Sequence, residues 1–278
     1  MAALPEVDHS RDGDSRVPEI IAVLATCAAL TTALVACRVV SRAWVTKAFG
    51  ADDWMVVVAQ VLALGAIVAI GLEQHFGLGR HIWTIPNLAP YMQSFYASIL
   101  LYNAGLVTVK ISIVLMYRRI FVGEGMRRAT LTALVMLIAW GISVVVGLAM
   151  ICLPIQKLWD DRVPGRCVDF LPAFFAPACI NMVADFAIFV LPMPAIRHLA
   201  LPLKQKIMIA LILCLGLLTC VISIVRLSTL TAAATATDSS WDNTGAALWS
   251  LIELTISIIA ACLPTLRPLL ARFFPRFL

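Results

Sequence analysis

Residues 245–266 read GAALWSLIELTISIIAACLPTL, and within them the single ionisable side chain is Glu253. A run this long and this apolar suffices to cross a hydrocarbon layer of ~30 Å as a helix. Lipid offers no hydrogen bonds to a backbone, so a spanning segment of this length satisfies its own as a helix. A carboxyl in the middle of such a helix is costly against lipid, so it is expected to face a bundle interior and find a partner there. One stretch thus predicts both a membrane helix and a polar core.

The same reading repeats upstream at residues 19–40, 53–72, 92–117, 129–151, 173–193 and 207–230. The fifth stretch is interrupted by Pro177 and contains Asp185. Hydrophobic residues make up 62% of the 278-residue chain and charged residues 13%, with mean hydropathy +0.95. A soluble domain carries about 25% charged residues, so the expected fold is all-α, a seven-transmembrane helix bundle. The expected organisation is a polar extracytoplasmic segment at 1–18, the bundle at 19–270 and a short cytoplasmic tail at 271–278. The first 18 residues lack the basic-then-apolar pattern of a cleavable signal, so the first span is expected to act as its own insertion signal.

Basic residues set the expected orientation. The connections after spans one, three, five and seven carry 13 of the 21 Lys and Arg, among them Arg38, Arg42, Arg118, Arg119, Arg127, Arg128 and Arg197. The opposite connections carry six. The excess places the first set in the cytoplasm and the N-terminus outside. The net charge of +5 then reflects topology and attraction to anionic head groups, so the bilayer is an expected partner and nucleic acid is not.

Four ionisable residues lie inside the spans and their charges cancel: Lys110, Asp185, Arg226 and Glu253. At ~1.5 Å rise per residue, Lys110 lies roughly 12 Å from the cytoplasmic face, Asp185 roughly 18 Å, Glu253 roughly 21 Å and Arg226 roughly 30 Å. Lys110 and Asp185 are the preferred pair; Arg226 meets Glu253 only by reaching inward and otherwise snorkels outward. Asn103 lies about two turns before Lys110, and Asn181 shares a face with Asp185, so both amides are expected to join an intramembrane polar network. Such a network either fixes helix packing or lines a pocket or ion path.

The connections carry further candidates. Phe76-Gly77-Leu78-Gly79-Arg80-His81-Ile82-Trp83 follows the second span. It reads as a tight turn with an aromatic anchor, or as a ligand-contacting lip in which Arg80 and His81 attract an anion beside Trp83. Cys152 and Cys167 are the two cysteines on the expected outer side and form a candidate disulfide closing a loop of about 15 residues. Asp52 and Asp53 open the second span, where acids complement the helix dipole and can cap it. No metal site is expected, since His75 and His81 have no third ligand beside them. Nucleophile-elbow, zinc-protease and paired-Asp magnesium motifs are missing from the sequence, so no catalytic residue is assigned.

The order of motifs resembles a known family. Gly50-Ala51-Asp52-Asp53-Trp54 opens span two; Gly77-Leu78-Gly79-Arg80-His81 follows it; Lys110-Ile111-Ser112 precedes Tyr117-Arg118-Arg119-Ile120-Phe121. Cys152-Leu153-Pro154 leads to Trp159 and Cys167; Asn181 and Asp185 precede Leu191-Pro192-Met193-Pro194; Arg226-Leu227 ends span six; Glu253 leads to Cys262-Leu263-Pro264. Together these resemble the fungal rhodopsin-domain family of seven-span membrane proteins, over roughly residues 19–270. The resemblance implies a multi-pass protein of a fungal plasma membrane or endomembrane, receptor-like or tied to a secondary-metabolite pathway, with a small-molecule ligand and a cytoplasmic signalling partner. A transporter and a membrane-embedded biosynthetic enzyme are the alternatives. Retinal is not expected as a cofactor, because the seventh span contains no Lys for a Schiff base. The stretch Tyr117-Arg118-Arg119 lacks the acid that precedes Arg in the common receptor class, and span seven has no Asn-Pro-x-x-Tyr.

Overall fold

The computed structural model describes residues 14–85, 87–121, 123–160, 162–194, 203–235 and 238–273. Arg197 and most of the polar N-terminal and C-terminal segments named above lie outside these residues.

Among the described residues seven helices are long and apolar enough to cross a membrane. They are α1 (Val17–Val40), α2 (Ala51–Phe76), α3 (Leu88–Ile120), α4 (Glu124–Ala149), α5 (Phe170–Val190), α6 (Leu203–Thr235) and α7 (Ser239–Phe273). A π-helical turn, Ser41–Val45, continues α1. Pro177 sits inside α5 without ending it. The helices are longer than their apolar cores: α3 begins four residues before the expected start, and α6 and α7 extend into the segment expected as a polar connection.

Large apolar side chains such as Val61, Val68, Met136, Ile142 and Val183 stand more than half exposed on the outside, as a lipid-facing surface requires. The inside is built from narrow stripes. On α2 the buried positions Val56, Ala59, Ala63, Ala66, Ile70 and Glu73 recur every three or four residues. Small residues on this stripe let α3 approach closely, the usual basis of helix association without a water-driven hydrophobic term. Val56, Ala59 and Ala63 pack with Leu106 and Val109 of α3 and Leu254 and Ile258 of α7. Gly105 permits this approach, since a Cβ there would lie 3.2 Å from both methyls of Leu254.

At one end of the bundle, Gly77 closes α2 at φ 141°, a region open chiefly to glycine. The Leu78 N–H returns to the Glu73 carbonyl at 2.9 Å, a Schellman-type closure, and Leu78 is fully buried beside Ile20. At the same end the α4–α5 connection forms a two-stranded antiparallel ribbon, β1 (Cys152–Leu153) and β2 (Arg166–Cys167), with Cys152 opposite Cys167 and their sulfurs bonded. The other end carries Arg118, Arg119, Arg127 and Arg128 around the α3–α4 connection.

Candidate functional site

Four helices deliver the central polar side chains: Tyr102 and Lys110 from α3, Asn181 and Asp185 from α5, Ser223 and Arg226 from α6, and Glu253 from α7. All are buried. The Lys110 ammonium stands 3.0 Å from Asp185 Oδ2 and donates to the Asn181 side-chain oxygen at 2.6 Å and its carbonyl at 2.9 Å. Asn181 Nδ2 donates to Glu253 Oε1 at 2.7 Å, and the Ser223 hydroxyl bridges Glu253 Oε1 (2.7 Å) and Asp185 Oδ2 (3.1 Å). Glu253 Oε2 accepts from the Tyr102 hydroxyl at 2.7 Å and from Arg226 Nη1 at 3.3 Å. The guanidinium also lies over the Tyr102 ring, 4.6 Å from its centroid. Arg226 therefore reaches inward. Two cations and two anions sum to zero, which is what makes so much buried charge tolerable.

Asn103 stands apart from this group. Its Nδ2 donates to the Ile99 carbonyl of its own helix at 2.8 Å. It shares the angular position of Lys110 but sits about 10 Å away along the axis, and Tyr102 makes the contact with Glu253 instead.

Beside the network is a cavity of about 480 Å³ in the half of the bundle nearest the disulfide. Its wall is mostly apolar and aromatic, with Tyr91, Phe95 and Phe174 prominent. Tyr102 and Arg226 line it too, so the cavity and the network share two side chains. Glu73 also lines it and is fully buried. It accepts from Ser98 at 3.1 Å and from Asn243 at 3.3 Å. The sequence reading placed Glu73 in a connection; the structure keeps it in α2 because it continues the inward stripe. A much smaller void of about 30 Å³ touches Lys110 and Asp185.

The acidic pair at the start of α2 does more than cap. Asp53 Oδ2 accepts from the Gly50 N–H at 3.0 Å, closing the helix start. Arg38, expected as a topology-setting residue beyond the first span, is 1% exposed and lies inside α1. Its Nε meets Asp53 at 2.8 Å, its Nη2 meets Asp52 at 2.9 Å, and Nη1 donates to the Ala261 carbonyl of α7. Arg119 adds a 3.2 Å contact to Asp52. Helices α1, α2, α3 and α7 are thus pinned together at the arginine-rich end. Arg38 was legible in principle, since Leu24, Cys27, Thr31, Val35 and Arg38 keep helical spacing along one face.

The glycine turn does not form an anion-attracting lip through His81. That ring is 3% exposed, its Nδ1 faces Asp238 Oδ2 at 2.5 Å, and it is stacked between Trp83 and Trp241 at centroid distances of 4.5 and 4.6 Å. Asp238 Oδ1 also accepts from the Ile82 N–H at 3.1 Å. Arg80 remains exposed. Among the described residues no group of His, Cys, Asp and Glu is placed to hold a metal ion.

The profile of the fungal rhodopsin domain matches residues 37–272. Fugralins biosynthesis cluster protein 2 of Gibberella zeae is 28% identical over 265 residues, covering 89% of this chain and 64% of that protein. A SAT4 family membrane protein of Emericella nidulans is 28% identical over 215 residues, covering 75% and 54%. Receptor GIN3 of Arthrobotrys oligospora is 23% identical over 292 residues, covering 99% and 67%. The chain thus spans less than two thirds of the first two relatives. No solved structure matches.

Proposed function

The chain belongs to the fungal rhodopsin domain family, and on that premise we propose that it is a receptor-like membrane protein whose central cavity binds a small molecule. One observation carries the reading: Tyr102 and Arg226 both line the cavity and both hold Glu253. A ligand that displaces either side chain changes what Glu253 can bond, and through Asn181 and Ser223 what Lys110 and Asp185 can bond. Helices α3, α5, α6 and α7 then repack. The cavity volume of about 480 Å³ falls within the usual range for small-molecule sites.

The basic excess around the α3–α4 connection favours a cytoplasmic arginine-rich end, hence a cavity in the outer half. Arg118, Arg127 and Arg128 are then available to a cytoplasmic signalling partner. Relatives named for biosynthesis clusters and one named a receptor support a ligand drawn from secondary metabolism. Retinal does not fit. The α7 sequence contains no Lys, and Lys110 is tied to Asp185 and Asn181 and does not line the cavity.

Native mass spectrometry of the full chain, purified in nanodiscs from a metabolite-producing fungal host, tests the reading. The wild type is expected to carry a small molecule. Ser250→Phe, which places a ring in the cavity, is expected to lose it. A wild type that retains nothing, or a variant that retains the same molecule equally, would count against the proposal.

A further inference from the structure

The central network is electrically closed, with Lys110 and Arg226 matching Asp185 and Glu253. Glu73 stands outside that balance. Its carboxyl is fully buried and its polar contacts are a hydroxyl and an amide, Ser98 and Asn243. Among the described residues it makes no ion pair. An uncompensated buried carboxylate is costly and takes up either a proton or a cation. This carboxyl lines the cavity wall together with Tyr91, Phe95 and Phe174. Phe95 lies 6.5 Å from Tyr91 and 6.1 Å from Phe174 by ring centroids, a continuous aromatic surface. Aromatic faces attract cations, most strongly where water is excluded.

Resting on the cavity reading above, we propose that the cavity selects an organic amine, with its ammonium at Glu73 and its apolar body along the aromatic wall toward Tyr102. The residue missing from the charge balance of the bundle is supplied by the ligand. Arg226 reinforces the choice from the other side: at the Tyr102 end of the cavity it disfavours a second cation, so a single positive charge has one favourable position.

The test uses full-length protein in nanodiscs and two probes of matched shape, 4-phenylbutylamine and the neutral 4-phenylbutan-1-ol. Binding is read by titration of thermal stability. The amine is expected to bind wild type at least tenfold more tightly than the alcohol. Glu73→Gln keeps both neighbours, because the amide oxygen accepts from Asn243 and its NH2 can donate to Ser98. That variant is expected to fold, to bind the alcohol as wild type does, and to lose the tenfold preference. Equal binding of both probes by wild type would overturn the amine assignment alone, as would a preference that survives Glu73→Gln. Failure of both probes to bind would overturn the cavity reading, and the amine assignment with it.

Discussion

Replacing Lys110 by Met and Asp185 by Asn, singly and together, probes the centre of the bundle. Each single change leaves the network with one uncompensated charge. In Lys110→Met, Asp185 keeps the Ser223 hydroxyl at 3.1 Å and a longer contact to Asn181 at 3.4 Å, but no cation within 4 Å. In Asp185→Asn, the ammonium keeps both Asn181 oxygens and faces no formal negative charge at contact distance. Removing one partner of a buried pair costs about 3–5 kcal/mol. The double variant is neutral again, so its loss is expected to fall short of the sum of the singles by about 2–3 kcal/mol, the upper range of measured couplings. The assay is denaturant titration of the full chain in mixed micelles, for wild type and all three variants. Additivity within about 0.5 kcal/mol, or singles that change stability by less than that, would refute a tightly coupled neutral network.

Arg38→Met strands two buried carboxylates on the far side of the bundle, with Arg119 at 37% exposure as partial compensation; a loss of about 3–5 kcal/mol is expected in the same titration. A surface arginine that only sets topology would change stability by about 0.5 kcal/mol or less. Tyr102→Phe keeps the cavity wall and removes one donor to Glu253. A destabilisation of about 1–3 kcal/mol is expected from an acceptor left short of a partner, and an unchanged titration midpoint would mean that the hydroxyl contributes nothing. Replacing both Cys152 and Cys167 by Ser opens a connection of sequence separation 15 and is expected to cost about 3 kcal/mol; equal thermal stability of the variant and of the non-reduced wild type would contradict it.

The amino-acid sequence by itself determined the seven membrane helices, because length and apolarity decide whether a segment can cross a bilayer and neither depends on neighbours. It also singled out the intramembrane ionisable residues, since a charge in an apolar run stands out whatever it touches. It could not decide partners. Tyr102 rather than Asn103 meets Glu253, and Arg226 turns inward rather than toward the head groups, because bond partners depend on how four helices are rotated and shifted against one another. Residues at the edges of the apolar runs were the hardest to place. Arg38 and Glu73 look like the first polar residues beyond a span, yet both continue a buried stripe by a further helical turn. His81 was read as a free cation beside a glycine turn, while Asp238, 157 residues away, occupies it. Hydropathy measures the cost of a side chain in lipid; tertiary packing decides whether that side chain meets lipid at all.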